Sequence, residues 1–162
     1  KRFSRLHEID MRTVPLMDSL TDAIGLVSED LRLAEVELHT DLEAANVKVE
    51  ANPNQLSQVT INLLTNAKDA FVQLGRRDSN FLHLSVRRAN KDEVVVTVKD
   101  NAGGIDPANV GRVFDPFYTS KPSGTGLGLT VCKEIVESMQ GDLSVQLVPG
   151  GTAFSMTLPV AS

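Results

Sequence analysis

The stretch from Asn52 to Gly75 limits the possible folds more than any other part of this chain. Asn52 is a capping residue, Pro53 suits the first helical position, and Gly75 stops a helix after Leu74. Between them Leu56, Val59, Leu63, Ala67, Ala70 and Leu74 recur in steps of three and four and make one apolar stripe. A helix this long with a single apolar stripe needs a broad surface to lie on. A second stripe, Gln58, Asn62, Asn66, Asp69 and Gln73, runs beside the first, and Leu64 and Phe71 interrupt the remaining face. The ordinary reading of such a row is a solvated polar face. Asn is a poor helix former, however, and a row of amides beside a core reads better as the wall of a cleft.

The flanking segments read mostly as strands. Phe3, Leu6 and Ile9 have helical spacing, and the start at Lys1, without an initiator Met, reads as a piece of a longer protein. Met11 to Pro15 reads as a linker. Leu16, Leu20, Ile24, Val27 and Leu31 mark a helix to about Arg32. Val36 to Leu42 alternates as a half-exposed strand, with Val47 to Glu50 as its expected partner across Ala44 to Asn46. After the long helix, Phe81 to Ala89 and Glu93 to Lys99 form a hairpin around Asn90-Lys91-Asp92. A short helix follows from Pro107 to Val113, then an aperiodic stretch, Phe114 to Ser123, whose aromatic residues would anchor a mobile flap. The glycine run Gly124 to Leu129 opens a helix through Met139 that Gly141 ends. Asp142 to Val148 and Thr152 to Pro159 close the chain as a hairpin. Hairpins separated by helices imply an α+β, two-layer sandwich: a mixed, mostly antiparallel sheet with helices on one face.

Composition excludes several functions. The 162 residues carry a net charge of -5, which argues against a general nucleic-acid binder. No apolar run is long enough to span a bilayer as a helix. The single cysteine, Cys132, rules out an internal disulfide and fits a reducing compartment. Beside Val131, Ile135 and Val136 it reads as a small buried hydrophobe. His7, His39 and His83 lack ligand spacing, so no zinc site is expected.

Two segments carry chemistry. The β-branched run Val94 to Val98 delivers Asp100 into a turn, Asn101-Ala102-Gly103-Gly104, that has few side chains. Adjacent glycines let backbone approach a flat ligand closely. A fixed carboxylate at the back of such a slot accepts from an exocyclic amine, which adenine offers at N6 and guanine replaces with a carbonyl. The ordinary alternative is a plain turn between strands. The second segment, Gly124-Thr125-Gly126-Leu127-Gly128-Leu129, leads into a helix N-terminus, where free amides suit a phosphate chain. It lacks the Gly-Lys-Ser/Thr ending of a P-loop.

In this order and spacing, Asn62 and Asn66, Asp100 with its glycines, Phe114 to Lys121, and the second glycine run resemble the N, G1, F and G2 boxes of sensor histidine kinases. The chain resembles their catalytic ATP-binding domain, of the Bergerat or GHKL fold, over about residues 16 to 160. The Phe114-Asp115-Pro116-Phe117-Tyr118-Thr119-Ser120-Lys121 segment sets it apart from the gyrase, chaperone and mismatch-repair ATPases of that fold. The resemblance implies that Asn66 coordinates Mg²⁺ and that Asn62, one turn earlier, faces the same ion or a phosphate. The related ATPases have a water-activating Glu at that position, so an amide here favours transfer over hydrolysis. It further implies that Asp100 reads adenine beside Gly104, that Thr152 supports the base through water, and that Asp69 belongs to the nucleotide-binding set. Lys121 would reach the terminal phosphate, and Gly124, Gly126 and Gly128 would line the phosphates. Lys68 is expected one helix step off the cleft.

Departures from the family pattern are modest. Ala102 stands where the G1 box usually has its first glycine, Gly103 replaces a common Pro, the lid after Lys121 is short, and Gln140-Gly141 replaces a glycine pair. Residues 1 to 15 are expected to be the end of a dimerisation hairpin and a linker, and residues 16 to 162 the ATP-binding domain. His7-Glu8-Ile9 echoes a phosphoacceptor motif, but too few residues separate it from the helix at Leu16 to hold the required hairpin. The resemblance therefore implies a kinase domain that binds ATP and Mg²⁺, without its own acceptor histidine. Its expected partners are a dimerisation/phosphotransfer domain of the same protein and a response regulator. The whole protein would be a homodimer that binds no nucleic acid, and the domain a cytoplasmic part of a membrane-bound sensor. The alternatives are an ATP-driven conformational switch or a non-catalytic nucleotide-binding module.

Overall fold

The structure, a computed structural model, describes residues 11–103, 105–116 and 127–161. The expected helical tail at Phe3 to Ile9 lies outside them, as do Phe117 to Gly126. Among the described residues seven strands and three α-helices follow in order: β1 (Arg12–Pro15), α1 (Leu16–Leu33), β2 (Glu37–Asp41), β3 (Lys48–Ala51), α2 (Pro53–Leu74), β4 (Phe81–Asn90), β5 (Glu93–Asp100), α3 (Leu127–Ser138), β6 (Asp142–Val148) and β7 (Gly151–Pro159). The main sheet has five strands in the order β2-β4-β5-β7-β6. Its β2–β4 pair is parallel and the other pairs are antiparallel. The expected α+β sandwich with a mixed sheet is the observed one.

Two expectations near the N-terminus fail. Met11 to Pro15 is no linker: β1 pairs antiparallel with β3, with Val14 opposite Val49, and both side chains are buried. Thr13 Oγ1 also donates to the Glu50 carboxylate across this ladder. With one buried side chain in four residues, β1 shows no period to read. The Val47 to Glu50 strand is likewise not the partner of β2. A 3-10 turn at Glu43–Ala45 carries the chain to a separate two-stranded sheet, and β2 instead lies beside β4, Leu38 opposite Leu82. Parallel neighbours need a crossover, and α2 lies within it.

α2 starts and stops as its sequence demands. The Asn52 side chain accepts from the Gln55 amide at 3.0 Å, and Gly75 takes the left-handed conformation, φ 70°. The buried stripe is wider than expected. Leu64 and Phe71 are fully buried beside Leu56, Val59 and Leu63, whereas Ala70 is half-buried and Leu74 exposed. The cause is position: α2 lies between α1 and α3 and over the sheet, so three neighbours cover it. The sheet contributes Leu82, Leu84, Val94, Val96, Val98 and Met156 to the same core. At the end of α3, Gln140 rather than Gly141 takes the positive φ, 63°. Gly141 serves close approach, since a Cβ there would lie 2.4 Å from the Thr157 carbonyl oxygen.

Candidate nucleotide site

Asp100 is the last residue of β5, where the inward face of the strand continues Val94, Val96 and Val98. That alternation carries its carboxylate inward, and it is buried. The Ala102 amide donates to its Oδ1 at 2.9 Å, the turn folding back on its own carboxylate. Burial raises the carboxyl above its ordinary value, against the opposing pull of the Ala102, Thr152 and Gly103 amides. Thr152 of β7 sits opposite Asp100 in the ladder and is buried with it. The neighbouring backbone is bare. Gly103 has φ 68°, and a Cβ at Gly151 would fall 1.8 Å from the Asp100 carbonyl oxygen. Gly151 is a requirement the sequence reading passed over. The Pro149-Gly150-Gly151 run looked like turn material, whereas Gly151 is the first strand residue.

One member of the amide row on α2 meets α3. Asn62 is half-buried, and its Nδ2 donates to Cys132 Sγ on α3 at 3.4 Å. Cys132 is fully buried, as expected, and by accepting from Asn62 it does more than fill space. Asn66 follows one turn later, also half-buried. Asp69 is half-buried, and the Lys68 ammonium lies 3.4 Å from its carboxylate, so the lysine left out of the cleft is tied to a residue put into it. Gln58 and Gln73, at the two ends of the stripe, are exposed, which confines the cleft wall to the middle of the helix. Among the described residues no group of three or more His, Cys, Asp or Glu is placed to hold a metal ion. What α2 offers instead is neutral amide oxygen, a hard donor of the kind that suits Mg²⁺.

The segment that ends at Phe114 is anchored. Asp106 caps a 3-10 turn, Pro107–Arg112, through the Ala108 amide at 2.9 Å. Val113 is buried behind it. Phe114 meets Phe154 edge-on, with ring centroids 6.1 Å apart, and Lys133 Nζ lies 5.1 Å above its ring. Thr130 Oγ1 donates to the Phe114 carbonyl at 3.0 Å. The expectation of an aromatic anchor holds for Phe114; Phe117 and Tyr118 lie outside the described residues. So do Gly104, Lys121, Gly124 and Gly126. Gly128 stands exposed in the first turn of α3.

Known proteins resemble this chain in sequence and in fold. Sensor histidine kinase ZraS of Salmonella typhimurium is 34% identical over 153 residues, which cover 94% of this chain and 32% of that protein. This chain thus spans about a third of that relative's length. The catalytic domain of histidine kinase ThkA, solved without nucleotide, superposes with a TM-score of 0.79 at 25% identity, covering 92% of this chain and 95% of that one. ThkA has also been solved in complex with the response regulator TrrA. Full-length ShkA in complex with AMPPNP has the same fold, with a TM-score of 0.75 at 21% identity over 94% of this chain and 31% of that one. The sequence pattern of one family covers residues 51–162, which hold the amide row, the Asp100 turn and the Gly151-Thr152 pair. The chain belongs to that family, the histidine kinase-, DNA gyrase B- and HSP90-like ATPases.

Proposed function

We propose that this chain is the ATP-binding catalytic domain of a sensor histidine kinase, holding Mg·ATP and presenting its γ-phosphate to a histidine on a separate dimerisation hairpin. The observation that carries this reading is the buried Asp100 at the end of β5, beside Thr152 and backbone without side chains. An anionic acceptor in a narrow slot selects an exocyclic amine and repels a carbonyl. The AMPPNP complex of ShkA supports the same ligand class.

Asn66 and Asn62 offer amide oxygens to Mg²⁺, which when bound neutralises charge on the terminal phosphates. Asn62 lacks the basicity to activate water, so the arrangement favours positioning over hydrolysis. Lys121 and the glycines 124, 126 and 128 complete the phosphate side in this reading. The hairpin histidine then passes its phosphate to an aspartate of a response regulator, the kind of partner with which ThkA was solved. The intact protein works as a homodimer, and the domain stands on the cytoplasmic side of a sensor. No helix among the described residues is long and apolar enough to cross a membrane.

Calorimetry and phosphate labelling test the proposal together. The chain should bind ATP and ADP in preference to GTP, and Asp100→Asn should reduce ADP affinity by at least about a hundredfold, the cost of mispairing a buried polar recognition group. With γ-labelled ATP alone, it should acquire no acid-labile label. Rapid turnover of ATP by the isolated chain would favour the conformational-switch alternative, and unchanged ADP affinity in Asp100→Asn would remove the adenine assignment.

A further inference from the structure

The turn behind Asp100 is held from outside by a polar cluster that the nucleotide reading does not use. Arg76, just past the C-terminus of α2, donates from Nε to Asn80 Oδ1 at 2.7 Å and from Nη2 to the Asn101 carbonyl at 2.9 Å. Asn80 is buried and donates back to the Arg76 carbonyl at 2.8 Å, while its own carbonyl accepts from the Glu37 amide. The Asn101 side chain spans the gap from the other side, accepting from the Phe81 amide at 2.9 Å and donating to the Ser79 carbonyl at 2.8 Å. The guanidinium also lies over the Phe71 ring, 5.6 Å from its centroid, so its plane is fixed.

The geometry points to Arg76 as a positioning residue of the adenine subsite: by gripping the Asn101 carbonyl it sets the Asn101–Ala102 peptide group, whose N–H meets the Asp100 carboxylate. That peptide is one rigid plane. Its carbonyl end faces a permanent cation, and its amide end faces the carboxylate that reads the base. A charged donor on the carbonyl polarises the group and strengthens the amide as a donor. Without Arg76, the Asn101 side chain still holds the turn through Phe81 and Ser79, but the plane loses the cation that fixes its carbonyl end, and the carboxylate faces a less firmly held amide. The Arg76 side chain joins the end of α2, which carries the amide row, to the turn that reads the base. The two halves of the site are thus tied outside the cleft as well as through the core.

This inference rests on the nucleotide reading, and its test separates the two. The wild-type chain and Arg76→Ala are titrated with ADP and with inorganic tripolyphosphate, and the Ala102 amide is followed by ¹H–¹⁵N NMR. Arg76→Ala should weaken ADP by about tenfold, the usual consequence of losing one charge-assisted hydrogen bond. Tripolyphosphate affinity should stay unchanged, and the Ala102 amide proton should move upfield. Arg76→Lys, a point charge without the fork, should recover part of the loss. Unchanged ADP affinity in Arg76→Ala, or an equal loss of ADP and tripolyphosphate, would overturn the assignment. If Arg76→Ala does not fold, Arg76→Gln, which keeps the stem and loses the charge, carries the same comparison. A wild-type chain that binds no ADP would instead overturn the nucleotide reading.

Discussion

At Gly151 and Asp100 the site is decided atom by atom. A methyl group at Gly151 would overlap the Asp100 carbonyl, a backbone atom that cannot step aside without breaking the β5–β7 ladder. Gly151→Ala should therefore destabilise the chain by about 3 kcal/mol in urea unfolding, the upper end of overpacking penalties. The Asp100 carboxyl makes a different prediction. Burial raises its folded pKa, so between the unfolded and the folded values the folded chain holds a proton that the unfolded chain has released. The stability it contributes is complete below about pH 3.9, the unfolded value, and is lost as the pH rises through the folded value. Asp100→Asn has nothing to titrate there. Its urea midpoint relative to wild type should thus climb as the pH is raised from about 4 to neutrality. A gap that does not change with pH would show that the carboxyl is not held above its ordinary value. The inward place of Asp100 was legible because it continues the alternation of a β-branched run. Arg76 and Asn80 were not: they lie in a polar loop without period, and only folding brings Arg76 to the Asn101 carbonyl and Asn80 to Arg76.

Among the elements, α2 was the most legible and β1 the least. Both ends of α2 carry local chemistry that acts whatever surrounds it: an Asn side chain on the Gln55 amide, a Pro without a donor, and a left-handed glycine. Asn52→Ala should cost about 1 kcal/mol of stability in thermal or urea unfolding, the usual value of a lost N-cap. The width of its buried face was misjudged because periodicity reports one neighbour at a time, and α2 meets two flanking helices as well as the sheet. Strand partners were misjudged for a related reason. Alternation tells which side chains of β2 and β3 turn inward but not which strand each lies beside, and short separation is a poor guide when a 3-10 turn intervenes. Cys132 shows the same limit: its burial was readable from its apolar neighbours, its bond to Asn62 only from the helix packing.

For the molecule as a whole, the alternation of hairpins and helices was enough to give the sandwich, because each hairpin presents one apolar face and each helix one stripe. The parallel contact between β2 and β4 has a further consequence, for the order in which the chain assembles. The β4–β5 and β6–β7 hairpins join neighbours in sequence and can close early. Strand β2 finds its place only after α2 has crossed and β4 has been made, bringing Leu38 to Leu82. During synthesis the edge Glu37–Asp41 must therefore wait unpaired, and closing that long loop is the natural slow step of folding.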